Sequence, residues 1–321
     1  MNKKILLVST VMLFSAFSVS GCLDDVEISP PDISEEQIEA PQGLSIKVDN
    51  GKLALYWETV NNADHYKVFR KTQLAEERVV SETDNEVYVD DNVLNGNEYY
   101  YSIAGVGSSG LDGCRSGWIS GVPSVYSILI NNGAVYTNSV DVNIQITAPE
   151  ICSVMKIAND STFAGVSWES CVESKIWTIE DVDGEKIIHA VFQDAFGNES
   201  YPVSASVILD TYSRIISVSI TPDSLPYDIG QMIHFSMNVE DNEVGGEAGI
   251  LIEGYSDTVQ LYDNNRFGDD VAQDGIYERD FYPPSSLTGT DLIVTGIFID
   301  KAGNAAPDFE LEQRISFAGS D

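Results

Sequence analysis

From residue 41 onward, apolar residues recur at every second position in short runs, and Gly, Asn and Asp punctuate the gaps. Leu53/Leu55/Trp57, Tyr66/Val68 and Tyr99/Tyr101/Ile103 alternate in this way, as do Val140/Val142/Ile144/Ile146, Val203/Ala205/Val207/Leu209 and Ile233/Phe235/Met237/Val239. A period of two puts alternate side chains on one face of a strand, so each run predicts a strand with one buried face. No stretch carries the three- and four-residue spacing of an amphipathic helix. The chain is therefore expected to be all-β, a tandem of sandwiches. Its 321 residues suit two or three domains at roughly 100–200 residues each.

The first forty residues read differently. Lys3 and Lys4 precede a short apolar run, Ile5 to Phe17, which has the length of a signal-peptide core. That run is too short to span a bilayer, which takes about 20 apolar residues. It ends in Val19-Ser20-Gly21-Cys22, which resembles the bacterial lipobox. The resemblance implies cleavage after residue 21 and acylation of Cys22. Leu23 follows, where enteric bacteria carry an Asp as the inner-membrane retention signal, so an outer-membrane or surface location is expected. Residues 22–40 then form a tether: residues 23–40 hold seven acids, no base and Pro30-Pro31, a composition that stays extended and solvated. They could reach roughly 60 Å at about 3.3 Å per residue.

Residues 41–124 resemble a fibronectin type III domain. The likeness rests on Ala40-Pro41 before the first strand, Trp57 on the second and Tyr66-Lys67-Val68-Phe69-Arg70 on the third. It rests also on the turn Val93-Leu94-Asn95-Gly96-Asn97-Glu98 leading into Tyr99-Tyr100-Tyr101, with Val122-Pro123-Ser124 closing the domain. It implies that the Tyr99 hydroxyl bonds back to the backbone. Residues 125–211 resemble a bacterial Ig-like module, through Ile130-Asn131-Asn132-Gly133, Met155 to Asp160, Trp177-Thr178 and Phe192 to Asn198. Residues 212–321 form a third, Ig-like domain. An internal echo links the last two: Phe192-x-Asp194-x-x-Gly197-Asn198 recurs as Phe298-x-Asp300-x-x-Gly303-Asn304. The expectation is a strand ending in a turn, with Phe inward and Gly-Asn supplying positive φ.

Composition narrows the functional classes. There are 51 acidic against 17 basic residues, a formal charge of −34, and loss of Lys3 and Lys4 with the signal takes it to −36. A nucleic-acid partner is not expected, because a phosphate backbone is bound by Lys and Arg. The three His are spread one per domain, at His65, His189 and His234, and are read as surface residues. No nucleophile elbow, zinc-protease helix or phosphate loop is present, so the chain is expected to be non-enzymatic. The classes left are a modular adhesion or ligand-binding protein for a protein or polysaccharide, a structural spacer in a surface assembly, and an accessory protein of extracellular polysaccharide degradation. Trp57, Trp168 and Trp177 are read as core, Trp118 and Tyr100 as candidates for a ligand surface.

Cys114, Cys152 and Cys171 follow the lipobox, and export permits disulfides. Cys152 and Cys171 fall in one domain and are the favoured pair, with reduced thiols as the alternative and one thiol left over. The segment Asp263 to Tyr277 resembles the D-D-G-x-x-G-D-x-x-x-x-D-G-x-Y loop of bacterial surface Ig-like domains, with Asn264-Asn265 where that pattern has Asp-Gly. The resemblance implies a Ca²⁺ site with Asp263, Asn265, Asp269, Asp270 and Asp274 as ligands and Gly268 and Gly275 at the sharp turns. A solvated hairpin loop, its Asp and Gly serving only turns and caps, fits the same residues. For the anchor the expected outcome is direct: Cys22→Ser abolishes metabolic lipid labelling and moves the protein from the membrane to the soluble fraction. A wild-type protein that already partitions as soluble excludes the lipobox.

Overall fold

The computed structural model describes residues 37–223, 226–228, 230–240 and 244–317. The signal peptide, Cys22 and the tether up to residue 36 lie outside the described residues. Within them the chain is all-β, with a short helical turn at Asn131–Gly133. Two compact units are formed. One takes in the chain up to Tyr126 with Pro149–Ser153 and Phe192–Tyr201; the other holds Ser127–Ala148, Val154–Val191 and the chain from Pro202 onward.

In the first unit, Ser45–Asp49, Lys52–Tyr56 and Val87–Asp90 make one antiparallel sheet. Glu199–Ser200 adds to it, running parallel to Ser45–Asp49 with Lys47 opposite Glu199 and Val48 opposite Ser200. The second sheet runs Arg78–Thr83, His65–Thr72, Tyr99–Val106, Asp112–Arg115, with Ile119–Gly121 also on Tyr99–Val106. The positions expected to face inward, Leu53, Leu55, Trp57, Val68, Tyr101 and Ile103, are all buried, and so are Ala54, Ser102 and Ala104 between them. The Leu94 N–H donates to the Tyr99 hydroxyl at 3.0 Å, the backbone bond implied by the fibronectin likeness.

The tether does not run free to residue 40. Ile38 is half-buried, and its carbonyl accepts from Cys114 N–H at 3.0 Å. Its side chain lies in a slot lined by Gly105, Gly107 and Gly113, where an added Cβ would stand 2.9, 2.7 and 2.6 Å from Ile38 atoms. Gly105 and Gly113 on two paired strands, with Gly107 just past the end of one, thus make room for one aliphatic side chain.

A charged group sits inside this sandwich. Arg70 Nη1 meets Asp90 Oδ2 at 2.6 Å and also donates to the Asn92 carbonyl at 3.0 Å. The Tyr101 hydroxyl donates to the same Asp90 oxygen at 2.8 Å, and Asn92 N–H caps the other oxygen at 3.1 Å. Burial first, and then the Asp90 charge, push the Tyr101 phenol well above its ordinary range. Burial works against the Arg70 guanidinium, but Asp90 outweighs it and raises its pKa.

In the second unit, Ser127–Ile130, Asp141–Thr147 and Ser174–Thr178 form one sheet, and Val203–Leu209 pairs with Gly184–Asp194 and, in parallel, with Tyr136–Thr137. Further along, Ile215–Thr221, Ile233–Val239 and Ile276–Phe281 face a sheet of Val259–Leu261, Glu247–Ile252, Val294–Ile299 and Phe309–Glu310. Ile233, Phe235, Met237 and Val239 form the expected inward stripe, packed with Ile250, Val294 and Phe298. Trp168 and Trp177 depart from expectation: both are half-buried, not core. Lys156 lies over Trp168 at 4.6 Å, and Trp177 donates from Nε1 to Asn159 at 2.6 Å. Cys114, Cys152 and Cys171 are each disulfide-bonded, where counting from sequence left one thiol over.

Removing one partner of a buried ion pair leaves the other charge desolvated and unanswered, which costs about 3–5 kcal/mol. Asp90→Ala strands both the Arg70 guanidinium and the Tyr101 hydroxyl. We expect it to lower stability to chemical denaturation by about that amount, whereas Lys67→Ala, which breaks the solvent-screened pair with Asp112, has a much smaller effect.

Candidate functional site

The Asp-rich loop is built on a strand pair. Tyr262 bonds across to Glu278 through both its N–H and its carbonyl, at 3.0 and 2.7 Å, and the loop between them must fold back within that frame. Gly268 and Gly275 take φ of +101° and +78°, the turns the sequence assigned to them. Gly268 has a second reason to lack a side chain, since a Cβ there would stand 2.5 Å from Asp280 N.

Asp263, Asp269 and Asp274 are brought together, each offering an oxygen within 4.8 Å of the others. Asp269 is buried and the other two half-buried. Asp263 accepts from Asp274 N–H at 3.1 Å through one oxygen and from Gly275 N–H at 3.2 Å through the other. Asp269 Oδ2 accepts short bonds from the N–H groups of Asn264 and Asn265. Asp269 Oδ1 is buried with no hydrogen-bond partner, although the residue is only 5% exposed. Asp274 Oδ1 takes Ile276 N–H at 3.0 Å. Of the other two expected ligands, Asn265 contributes its N–H and a φ of +55° to the turn. Asp270 is exposed, outside the cluster, with its N–H on Glu278 at 3.2 Å.

The turn-and-cap chemistry of the loop is therefore present, but it leaves a remainder. Two carboxylates at this separation repel by roughly 3–4 kcal/mol if ionised at an effective dielectric near 20. A buried carboxylate oxygen without a donor is a further cost. Oxygens bound to one Ca²⁺ at about 2.3–2.6 Å stand no more than about 5 Å apart, so the three carboxylates are spaced as ligands of a single ion. Among the described residues this is the only group of His, Cys, Asp and Glu with that spacing.

A neighbouring arrangement was not visible in the sequence. His234 was read as a surface residue, but it is half-buried between two acids, Nδ1 at 3.0 Å from Asp280 and Nε2 at 3.3 Å from Glu278. Burial lowers the imidazole pKa, and the two carboxylates more than offset this, so it is raised overall. The signal that existed was the strand pattern, since Ile276–Phe281 places Glu278 and Asp280 on one face. What sequence lacked was the register that sets His234 opposite Asp280. On the first unit, Lys71 Nζ lies 4.1 Å over the ring of Trp118, which is 37% exposed, and 5.8 Å from that of Tyr100.

No protein-family model matches the chain, and no curated protein matches it. Solved structures do. An Fn3-like protein from Clostridium thermocellum is 24% identical over 26% of this chain and 91% of its own, with a TM-score of 0.25. Fibronectin(III)-like modules of Clostridium thermocellum CbhA are 12% identical over 60% of this chain and 93% of theirs, with a TM-score of 0.36. The chicken CNTN1 FN1–FN3 domains are 12% identical over 86% and 98%, with a TM-score of 0.34. These likenesses carry no ligand to this chain, and the sandwich fold rests on the strand pairing itself.

Proposed function

We propose that the chain is a non-enzymatic, modular lipoprotein of the bacterial cell envelope, anchored through Cys22. In this reading its sandwiches present a binding surface to a protein or polysaccharide, and its Asp-rich loop takes Ca²⁺. The observation that carries the metal part is the unanswered, buried Asp269 Oδ1 beside Asp263 and Asp274. In a chain with a formal charge of −34, a divalent cation at that point answers a donor deficit that no side chain fills. The modular part is supported by the all-β build of the described residues and by the repeated turn of the second and third domains. Acylation needs a free Cys22 thiol, so lipid labelling of the wild-type chain decides the anchor.

Ligand binding is tested by probing the chain from residue 41 on a glycan array and by pull-down from envelope extracts. A defined ligand that is lost on deleting residues 213–321 supports a distal binding module. No ligand in either assay points instead to a spacer, and turnover of a polysaccharide to an accessory of degradation.

Calcium is tested by thermal unfolding of the same chain with millimolar Ca²⁺ and with chelator. A ligand held only by the folded state stabilises it by roughly 2.7 kcal/mol at a hundredfold excess over Kd, so the transition containing the Asp-rich loop shifts upward. Asp269→Asn removes the shift. Identical midpoints with Ca²⁺ and chelator exclude the site.

A further inference from the structure

The repeated turn does more than end a strand. In both copies the Phe is buried, Phe192 fully and Phe298 at 2% exposure, and the Gly takes positive φ, +88° at Gly197 and +92° at Gly303. The Asn residues do not share that conformation; they hold the turn through hydrogen bonds. Asn198 N–H and Nδ2 donate to the two oxygens of Asp194, both at 2.9 Å. Asn304 repeats this on Asp300, both at 2.8 Å.

A primary amide has two N–H donors on Nδ2, and the second points out of the turn in each copy. Asn198 Nδ2 donates to the Ser120 carbonyl at 2.8 Å, and Asn304 Nδ2 donates to the Asp210 carbonyl at 2.8 Å. Ser120 precedes the strand Ser127–Ile130, and Asp210 precedes Ile215–Thr221. Each turn thus grips main chain outside itself, the first on the strand Ile119–Gly121 and the second at Asp210, ahead of the strands Ser127–Ile130 and Ile215–Thr221. Other contacts agree. Glu199–Ser200 runs beside Ser45–Asp49, and Lys301 Nζ stands 5.5 Å over the ring of Tyr136. The first of these contacts lies inside one compact unit and the second inside the other.

We propose that Phe-x-Asp-x-x-Gly-Asn is a junction clasp, a docking element by which each of the last two domains holds the chain segment that leads into it. The Asp makes the clasp selective. Its buried carboxylate fixes the amide plane, so the outward N–H is already aimed and little conformational freedom is lost on closing. Asn is needed for this chemistry, because Asp would set a second carboxylate against Asp194 or Asp300 and offer no donor. A turn serving only itself needs no bond to Ser120 or Asp210.

Hydrogen-exchange mass spectrometry of the full chain tests this. In Asn304→Ala, exchange of the amides in 210–214 should rise about five- to tenfold, the loss of one hydrogen bond, while 119–126 stays as in the wild type. Asn198→Ala should do the reverse. Asn304→Asp, which keeps the shape and removes the donors, should reproduce the Asn304→Ala result. If 210–214 exchanges as in the wild type while 300–304 loosens, the Asn caps only its own turn and the proposal fails. It fails equally if protection is lost across Val294–Ile299 in both variants, since the turn is then a requirement for folding and not a clasp.

Discussion

The constraint on which this structure turns is the burial of carboxylates in a chain that has few cations to answer them. Among the described residues the buried acids are Asp90, Asp194, Asp269 and Asp300. A desolvated carboxylate persists only if charges or N–H donors replace the water it loses. Asp90 is answered by Arg70 and Tyr101, the single place among the described residues where the chain commits a buried cation. Asp194 and Asp300 are answered by amides of their own turns. Asp269 is answered on one side only. Core geometry, repeated turn and candidate cation site are three solutions to one electrostatic problem.

These solutions differ in reach. The Arg70–Asp90 pair ties strands of opposite sheets and so fixes how the sandwich closes. The Asp–Asn turns are local, yet through one leftover donor they extend to the chain ahead. The Asp-rich loop joins His234 through Glu278, whose carboxylate receives both the imidazole and Asp270 N–H. An ion bound in the loop would therefore act on a strand pair already held by a charged cross-strand group.

Alternation made the strands legible wherever a sheet has one wet face, and the stripe from Ile233 to Val239 came through unchanged. It failed for Trp168 and Trp177, since period two does not say whether a face is covered by a second sheet or only by a lysine stem. The Asp263, Asp269 and Asp274 grouping was legible as a motif, while the exclusion of Asp270 depended on where the loop turns. The Arg70–Asp90 pair, the His234 bracket and the clasp were not legible, because each depends on register between segments far apart in sequence. The echo of Phe-x-Asp-x-x-Gly-Asn showed that something recurs; only the second N–H of the amide shows why Asn stands there.

The glycine slot has a mechanical consequence. Any pull transmitted along the N-terminal segment enters the folded chain at Ile38, ahead of the first strand at Ser45. There it meets one aliphatic plug and one backbone bond, to Cys114 on the strand Asp112–Arg115. A single aliphatic plug seated mainly against glycine slides out at smaller force than a strand is peeled from its sheet. The slot would release first and free the chain only as far as Pro41, which is buried ahead of the bond from Glu58 N–H to the Gln42 carbonyl at 2.9 Å, absorbing load while the sandwich behind it stays closed.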